Sequence, residues 1–282
     1  MKFCDFADFE DPAVLETIER ILPERDPRQF IERKVWEMAM LVLFLEDVGR
    51  LDGTAEILSV GAGNERILYW LTNHAARVVA TDIYGDGPFA GEEAAHQMLT
   101  DPGAFAPAYP VRLERLEPLW MDATALEFPD NSFDVVYTLS SIEHFGSMQN
   151  IARAAAEIGR VLRPGGYAVI VTDGLLRLHP FDTAITDTLV RAVTLGRRRA
   201  EATPWRRAHL SEVLTRREID KYIVQPSGLE LLQPLDPTVT DASWEQVRIL
   251  ERSGIVGDPF PQVLLKYRRS VFGSVLLALA KP

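Results

Sequence analysis

Glu56-Ile57-Leu58-Ser59-Val60-Gly61-Ala62-Gly63-Asn64-Glu65-Arg66 runs from an apolar stretch straight into a turn with two glycines, and that junction constrains the fold more than any other part of the chain. Ile57, Leu58 and Val60 make a short apolar run of the kind that is buried on both faces in a parallel sheet. Gly61 and Gly63 allow a sharp bend and let a ligand lie against bare main chain. The pattern predicts a helix from about Asn64, a residue suited to the N-cap, with its first N–H groups turned toward the ligand.

A second apolar run, Arg77-Val78-Val79-Ala80-Thr81-Asp82, reads as the next strand and places Asp82 21 residues after Gly61. An acid about 20 positions past a glycine turn, at the end of the second strand, is placed to accept hydrogen bonds from a ribose diol. The expected ligand is therefore a nucleoside. A dinucleotide fingerprint requires a third glycine, which lets helix and pyrophosphate approach; position 66 is Arg, which speaks against NAD or FAD.

Further along come Trp120-Met121-Asp122-Ala123-Thr124, then Leu126-Glu127-Phe128-Pro129-Asp130-Asn131-Ser132-Phe133-Asp134 leading into a strand Val135–Leu139, then Ile142-Glu143-His144. A helix follows, ending at Val161-Leu162-Arg163-Pro164-Gly165-Gly166, and a strand Tyr167–Val171. In this order the set resembles the class I S-adenosylmethionine-dependent methyltransferases over roughly residues 55–175. The resemblance implies a doubly wound α/β fold with a mostly parallel seven-stranded sheet closed by a C-terminal antiparallel hairpin. It implies S-adenosyl-L-methionine as cofactor, held by Gly61, Ala62, Gly63, Asn64, Asp82, Ile83, Asp122, Ala123 and Leu139. Asp122 and Ala123 would meet the adenine, and Glu65 with Asn64 the methionine end. Asp134 is expected to pin the start of its strand, and Arg163–Gly166 to form a turn that stops a helix.

The chain divides into four parts on this reading. Residues 1–54 form an N-terminal helical lid, with helices around Pro12–Leu22 and from about Pro27 to Val48; Ile31, Val35, Met38, Val42 and Leu45 recur at helical spacing. Residues 55–173 are the cofactor-binding core. Residues 174–228 form a cap, biased to basic residues by Arg191, Arg197, Arg198, Arg199, Arg206, Arg207, Arg216, Arg217 and Lys221. The other reading of that segment is a solvated helical face balanced by Glu201, Glu212, Glu218 and Asp220. Residues 229–282 complete the sheet with strands at Gln262–Tyr267 and Ser274–Ala280 around a turn over Arg268–Gly273.

Composition narrows the partners. With 282 residues and 47% hydrophobic content the chain can bury a substantial core, and its formal net charge of −11 disfavours broad contact with nucleic acid or anionic membranes. The longest apolar stretches, Met38–Leu45 and Val271–Ala280, fall short of a membrane span. Cys4 is the lone cysteine, so an internal disulfide is excluded; a cytoplasmic protein is expected. No compact carboxylate or histidine spacing points to a metal.

Methyl transfer from a sulfonium is an in-line displacement, so the protein chiefly aligns the reactants. A hydroxyl acceptor must also lose its proton as the new bond forms, which calls for a base. His144, just past the fourth strand, is the candidate general base, and Glu143 a second candidate; the pair could instead only shape its loop. His74, His96, His179 and His209 read as solvated or packed side chains. Leu139-Ser140-Ser141-Ile142 lacks the Pro-Pro-aromatic run expected after the fourth strand in enzymes that methylate amino groups of DNA bases or protein glutamine. The expected acceptor is thus a small polar molecule bearing a hydroxyl, such as a saccharide or secondary metabolite. An anionic group on it would be met by the cap arginines. N- or C-methylation of a small molecule, or cofactor binding without turnover, stay open.

Overall fold

The computed structural model describes residues 2–91, 93–177, 192–193, 212–251, 254–267 and 270–282. Arg191, Arg197, Arg198, Arg199, Arg206, Arg207, His179 and His209, with most of the expected cap, lie outside the described residues.

Strands β2 (Glu56–Val60), β3 (Arg77–Asp82), β4 (Leu116–Trp120), β5 (Phe133–Leu139) and β6 (Leu162–Arg177) form the parallel part of one sheet. The spatial order is β4-β3-β2-β5-β6, followed by β11 (Ser270–Ala280), then β10 (Leu264–Tyr267) and the short β8 (Arg248–Glu251) and β9 (Gly254–Ile255). β11 runs antiparallel between β6 and β10. Those first seven strands are the sheet the sequence leads one to expect. β8, β9 and two two-residue strands paired to β11, β1 (Lys2–Phe3) and β7 (Glu230–Leu231), extend it to eleven among the described residues.

The strand runs are apolar throughout because both faces are covered. Ile57, Val78, Ala80, Val135, Tyr137, Val169 and Val171 pack into one core with α1 (Pro12–Ile21), α2 (Arg33–Asp47) and α3 (Arg66–Leu71). Their neighbours Leu58, Val79, Val136, Ala168 and Ile170 pack into the other, against α5 (Met148–Val161). The period of two thus sorts alternate residues to opposite helical layers. A short helix, α4 (Gln97–Thr100), lies between β3 and β4.

Several expected boundaries move. The second N-terminal helix begins at Arg33, because Asp26 folds the Pro27 region into a turn: its carbonyl accepts from Gln29 and Phe30 N–H and its side chain from Arg28 N–H. The chain is extended at Glu32 and bonded to Gln262 on both sides, Gln262 N–H donating to Ile31 O and Arg33 N–H to Gln262 O. Helix α3 begins at Arg66 with Glu65 at its N-cap, so Asn64 belongs to the turn. β6 runs from Leu162 to Arg177, Leu162 pairing with Phe133 and the ladder resuming at Tyr167 after a register shift; between them Gly165 N–H donates to Lys281 O, and Lys281 N–H donates to Gly166 O. β11 starts at Ser270, inside the expected turn over 268–273. Gly273 is a close-approach glycine within the strand; a Cβ there would lie 2.9 Å from Leu264 Cδ2.

The basic residues of the expected cap that are described behave as the solvated alternative. Arg216, Arg217 and Lys221 are exposed on α6, a helix built of Arg216–Ile219, a π-helical Asp220–Val224 and Gln225–Ser227. This helix packs on α5 through Ile219 and Ile223, and so closely that a Cβ on Gly159 would fall 1.8 Å from the Ser227 carbonyl oxygen. Asp134 does pin the strand starts: it accepts from Glu56 N–H and from Arg163, both at 2.8 Å. A last short helix, α7 (Asp241–Glu245), packs near the N-terminus, where Ser243 Oγ accepts from Phe6 N–H. Among the described residues no helix is long and apolar enough to cross a membrane.

Candidate cofactor and acceptor site

The chain leaves β2 outward through β3 and β4 and returns on the other side of β2 as β5, so the strand order reverses between β2 and β5. The crevice at the carboxyl ends of such a pair is where open α/β sheets bind ligands. A cavity of about 1030 Å³ opens there. That is at the upper end of ordinary ligand pockets and holds a nucleoside plus a second small molecule.

The turn after β2 is built for close approach. Gly61 has φ 68° and Gly63 φ 51°, both in the left-handed region, where a side chain is strained. Gly61 and Ala62 N–H both donate to Thr81 O, which ties the turn to β3. A Cβ on Gly61 would stand 2.6 Å from Ser141 Cβ, and one on Gly63 would stand 3.0 Å from the Glu93 carbonyl oxygen. The Gly63 peptide is fixed at both ends, its N–H donating to Asp82 Oδ2 at 2.8 Å and its carbonyl accepting from Tyr84 O–H at 2.8 Å.

Asp82 Oδ1 accepts from Ile83 N–H at 2.7 Å. Each carboxylate oxygen therefore spends one lone pair on backbone and keeps another, which suits a diol. Burial raises the Asp82 carboxyl, although the two N–H bonds pull it down. Asp122 lines the cavity opposite, one oxygen taking Thr124 N–H at 2.8 Å. Glycines whose Cβ positions are already filled, an acid at the second strand end and an acid after the third together fit a nucleoside cofactor.

Every expected site residue lines this one cavity except Leu139: Gly61, Ala62, Gly63, Asn64, Asp82, Ile83, Asp122, Ala123, Glu143 and His144 are all in its wall. Leu139 is buried, and its carbonyl is taken by Lys34 Nζ at 3.1 Å and Ser141 Oγ at 3.2 Å. The next residue, Ser140, holds φ 47°, an uncommon conformation for a residue with a side chain. It is kept there by its N–H bond to Val171 O and by Oγ donating to Glu37.

The other end of the cavity is walled by ionic groups that the motifs do not announce. Arg33 pairs with Asp173, Lys34 lies 3.5 Å from Glu65 and 3.6 Å from Glu37, Arg25 lies 3.1 Å from Glu32, and Arg66 lies 3.8 Å from Glu24. Among the described residues each cation lining the cavity thus faces a carboxylate. Glu143 is buried and accepts from Thr172 Oγ1 at 2.9 Å. His144 is on a 3-10 turn, Ile142–His144, with its Nδ1 3.5 Å from Glu212.

Burial, with the Asp173 charge beside it, raises the Glu143 carboxyl to about 7. Burial likewise raises Glu65 to about 7 against the pull of Lys34. For His144 burial favours the neutral ring, but Glu212 and Glu143 outweigh it and the pKa rises. Glu65 and Glu143 hold a proton more tightly folded than unfolded. Their contribution is present below about 4.5 and is lost as pH climbs through about 7. From pH 6 to 8 each forfeits about 1 kcal/mol, so the melting midpoint should fall by roughly 4–8 °C in a chain of this size. Asp82 and His144 shift the same way, while His74, lowered by burial, opposes them. Differential scanning fluorimetry at the two pH values checks this, and equal midpoints would count against the buried carboxyls.

The geometry agrees with comparisons to known proteins. Residues 58–170 match the family described as a methyltransferase domain. A demethylmenaquinone methyltransferase of Renibacterium salmoninarum is 39% identical over 94 residues, 32% of this chain and 37% of that protein. A 27-O-demethylrifamycin SV methyltransferase of Amycolatopsis mediterranei is 38% identical over 93 residues, 33% of each chain. The chain thus spans about a third of the length of these curated relatives. The crystal structure of YcgJ from Bacillus subtilis superposes with a TM-score of 0.50 at 13% identity, over 87% of this chain and 98% of that one, and shows the shared fold. Residues 58–170, which carry both the glycine turn and the acidic strand end, thus form a methyltransferase domain on a Rossmann-like fold, with S-adenosyl-L-methionine as its cofactor.

Proposed function

We propose that the protein methylates a hydroxyl oxygen of a small polar acceptor, such as a saccharide or secondary metabolite, with His144 as general base. The observation that carries this reading is the presence of the cofactor turn, Asp82, Asp122 and His144 in the wall of one cavity large enough for two ligands. When bound, the cofactor supplies a methyl group on an excellent leaving group. Gly61–Asn64 would hold its amino-acid end, Asp82 its sugar, and Asp122 with Ala123 its base. His144 would take the acceptor proton as the oxygen attacks. The relative from Amycolatopsis acts, by its name, on an O-demethyl compound, which is in keeping with an oxygen acceptor.

Residues 1–54 serve as the lid in this reading, since Arg33, Lys34 and Met38 of α2 line the cavity; residues 55–173 are the cofactor core, 174–228 hold the cap, and 229–282 complete the sheet. An anionic acceptor would depend on the basic residues between 191 and 207, because the described cations of the cavity are already paired.

Titration calorimetry with S-adenosylhomocysteine, followed by mass spectrometry of hydroxyl-bearing candidates incubated with the cofactor, tests the proposal. Binding is expected to weaken roughly tenfold to a hundredfold in Asp82→Asn, whose amide NH2 must face one of two backbone N–H donors. No binding by the folded wild-type protein, or transfer to nitrogen or carbon alone, would refute it.

A further inference from the structure

We propose that Glu212 is the positioning residue of His144, holding the Nδ1–H of the imidazole so that the Nε2 lone pair faces the acceptor. The inference rests on the reading of His144 as the base and adds to it a residue far away in sequence.

Among the described residues, two side chains meet the ring and a backbone bond sets the turn beneath it. Glu212 Oε1 lies 3.5 Å from Nδ1. Phe89 meets the imidazole edge to face, with centroids 5.1 Å apart and planes at 65°. The backbone beneath is set by His144 N–H donating to Ser141 O at 2.9 Å. Glu212 has its own support. Two residues on, Leu214 is fully buried and bridges to β6, its N–H donating to Asp173 O at 2.8 Å and its carbonyl accepting from Leu175 N–H at 2.9 Å. The carboxylate is thus delivered to the cavity rim from a fixed anchor.

A neutral imidazole has one donor and one acceptor nitrogen, and the bond made by one decides the role of the other. Among the described residues the acids facing this ring are Glu143 on its own turn, Asp173 on β6 and Glu212. Glu143 is bonded to Thr172, and Asp173 is paired with Arg33. Glu212 is the acid that meets a ring nitrogen. In the transfer step the acceptor O–H proton passes to Nε2. The oxygen pair forms the new C–O bond, and the S–C pair returns to sulfur, leaving a thioether. The positive charge moves from sulfur to the imidazolium, beside the Glu212 carboxylate.

The test is 15N NMR of the imidazoles in the full chain saturated with S-adenosylhomocysteine, comparing wild type, Glu212→Gln and, for assignment, His144→Gln. In wild type the neutral His144 ring should show a protonated Nδ1 and a bare Nε2. In Glu212→Gln its proton affinity should fall roughly two- to fivefold, as for removal of a partly exposed ion pair, with the affinity for S-adenosylhomocysteine unchanged. A wild-type ring protonated at Nε2, or an unchanged His144 titration in the variant, overturns the proposal while leaving cofactor binding intact. Failure of the wild-type protein to bind S-adenosylhomocysteine overturns the functional reading beneath it. The wild-type tautomer is decisive even if the variant folds poorly.

Discussion

Gly61→Ala is expected to weaken S-adenosylhomocysteine binding by roughly 30-fold to 3,000-fold, the larger of the cofactor-side effects. Two costs combine. A non-glycine residue held at φ 68° loses about 1–2 kcal/mol to the left-handed conformation. The new Cβ also arrives 2.6 Å from Ser141 Cβ and 3.1 Å from the Phe145 ring, and relieving such overpacking takes about 1–3 kcal/mol. Ser141 cannot easily move aside, because its Oγ donates to the carbonyl of Gly61 itself at 2.7 Å. The turn must therefore open, and the surface meant for the cofactor opens with it. Gly91→Ala, with nothing within 4 Å of the added carbon, is the control that should bind normally. Calorimetry on both variants, with melting curves to confirm folding, decides the matter. Binding of Gly61→Ala within a factor of about three of wild type would remove the turn from the cofactor site.

The half of the cavity proposed to take the nucleoside was legible because it is local. A strand that is buried on both faces must read as an unbroken apolar run, a turn against ligand must be glycine, and the acid at the next strand end falls at a distance set by one helix and one strand. Ile57–Gly63 and Val78–Asp82 satisfy all three conditions within 30 residues of chain. Trouble began where one residue type serves two purposes. Pro27 reads as a helix start, yet the preceding Asp26 caps a turn with its side chain and carbonyl, and the helix waits until Arg33. Gly273 reads as a turn, yet it is the strand position over which Leu264 passes.

The ionic half of the cavity, proposed for the acceptor, was hidden for a different reason. Helix α2 shows an apolar stripe in the sequence, and its Arg33, Lys34 and Glu37 look like the solvated face. In the fold that first turn lies across the ends of β5, β6 and β11, so Lys34 reaches Leu139 O, Glu37 takes Ser140 and Ser274, and Arg33 finds Asp173. No spacing within the helix reports those partners, which are more than 100 residues away. Glu212 is hidden in the same way: its position opposite His144 follows from the Leu214 bridge to β6. Tyr84 could have been suspected, as an aromatic two residues past Asp82, but its bond to Gly63 O is a tertiary fact.

His144→Ala should lower the turnover of a hydroxyl acceptor by about 10²- to 10⁴-fold, the usual range for a positioned base, while leaving S-adenosylhomocysteine affinity within a factor of about two of wild type. The split is what distinguishes a base from a loop-shaping residue. The backbone of the Ile142–His144 turn is held by His144 N–H to Ser141 O, which alanine keeps, and the ring is partly exposed, so its removal leaves no large cavity in the core. A loop role would instead show in cofactor binding, because Ser141 borders the glycine turn. The pH profile adds a second check. A base must be neutral to accept a proton, and the His144 pKa stands above that of a free imidazole once Glu212 and Glu143 outweigh burial. Wild-type turnover should therefore rise with pH to a plateau whose midpoint is above the free histidine value, and the residual rate of the variant should lack that step. Turnover unchanged in His144→Ala would pass the role to solvent or to a more acidic acceptor; loss of turnover matched by loss of cofactor affinity would make the histidine structural.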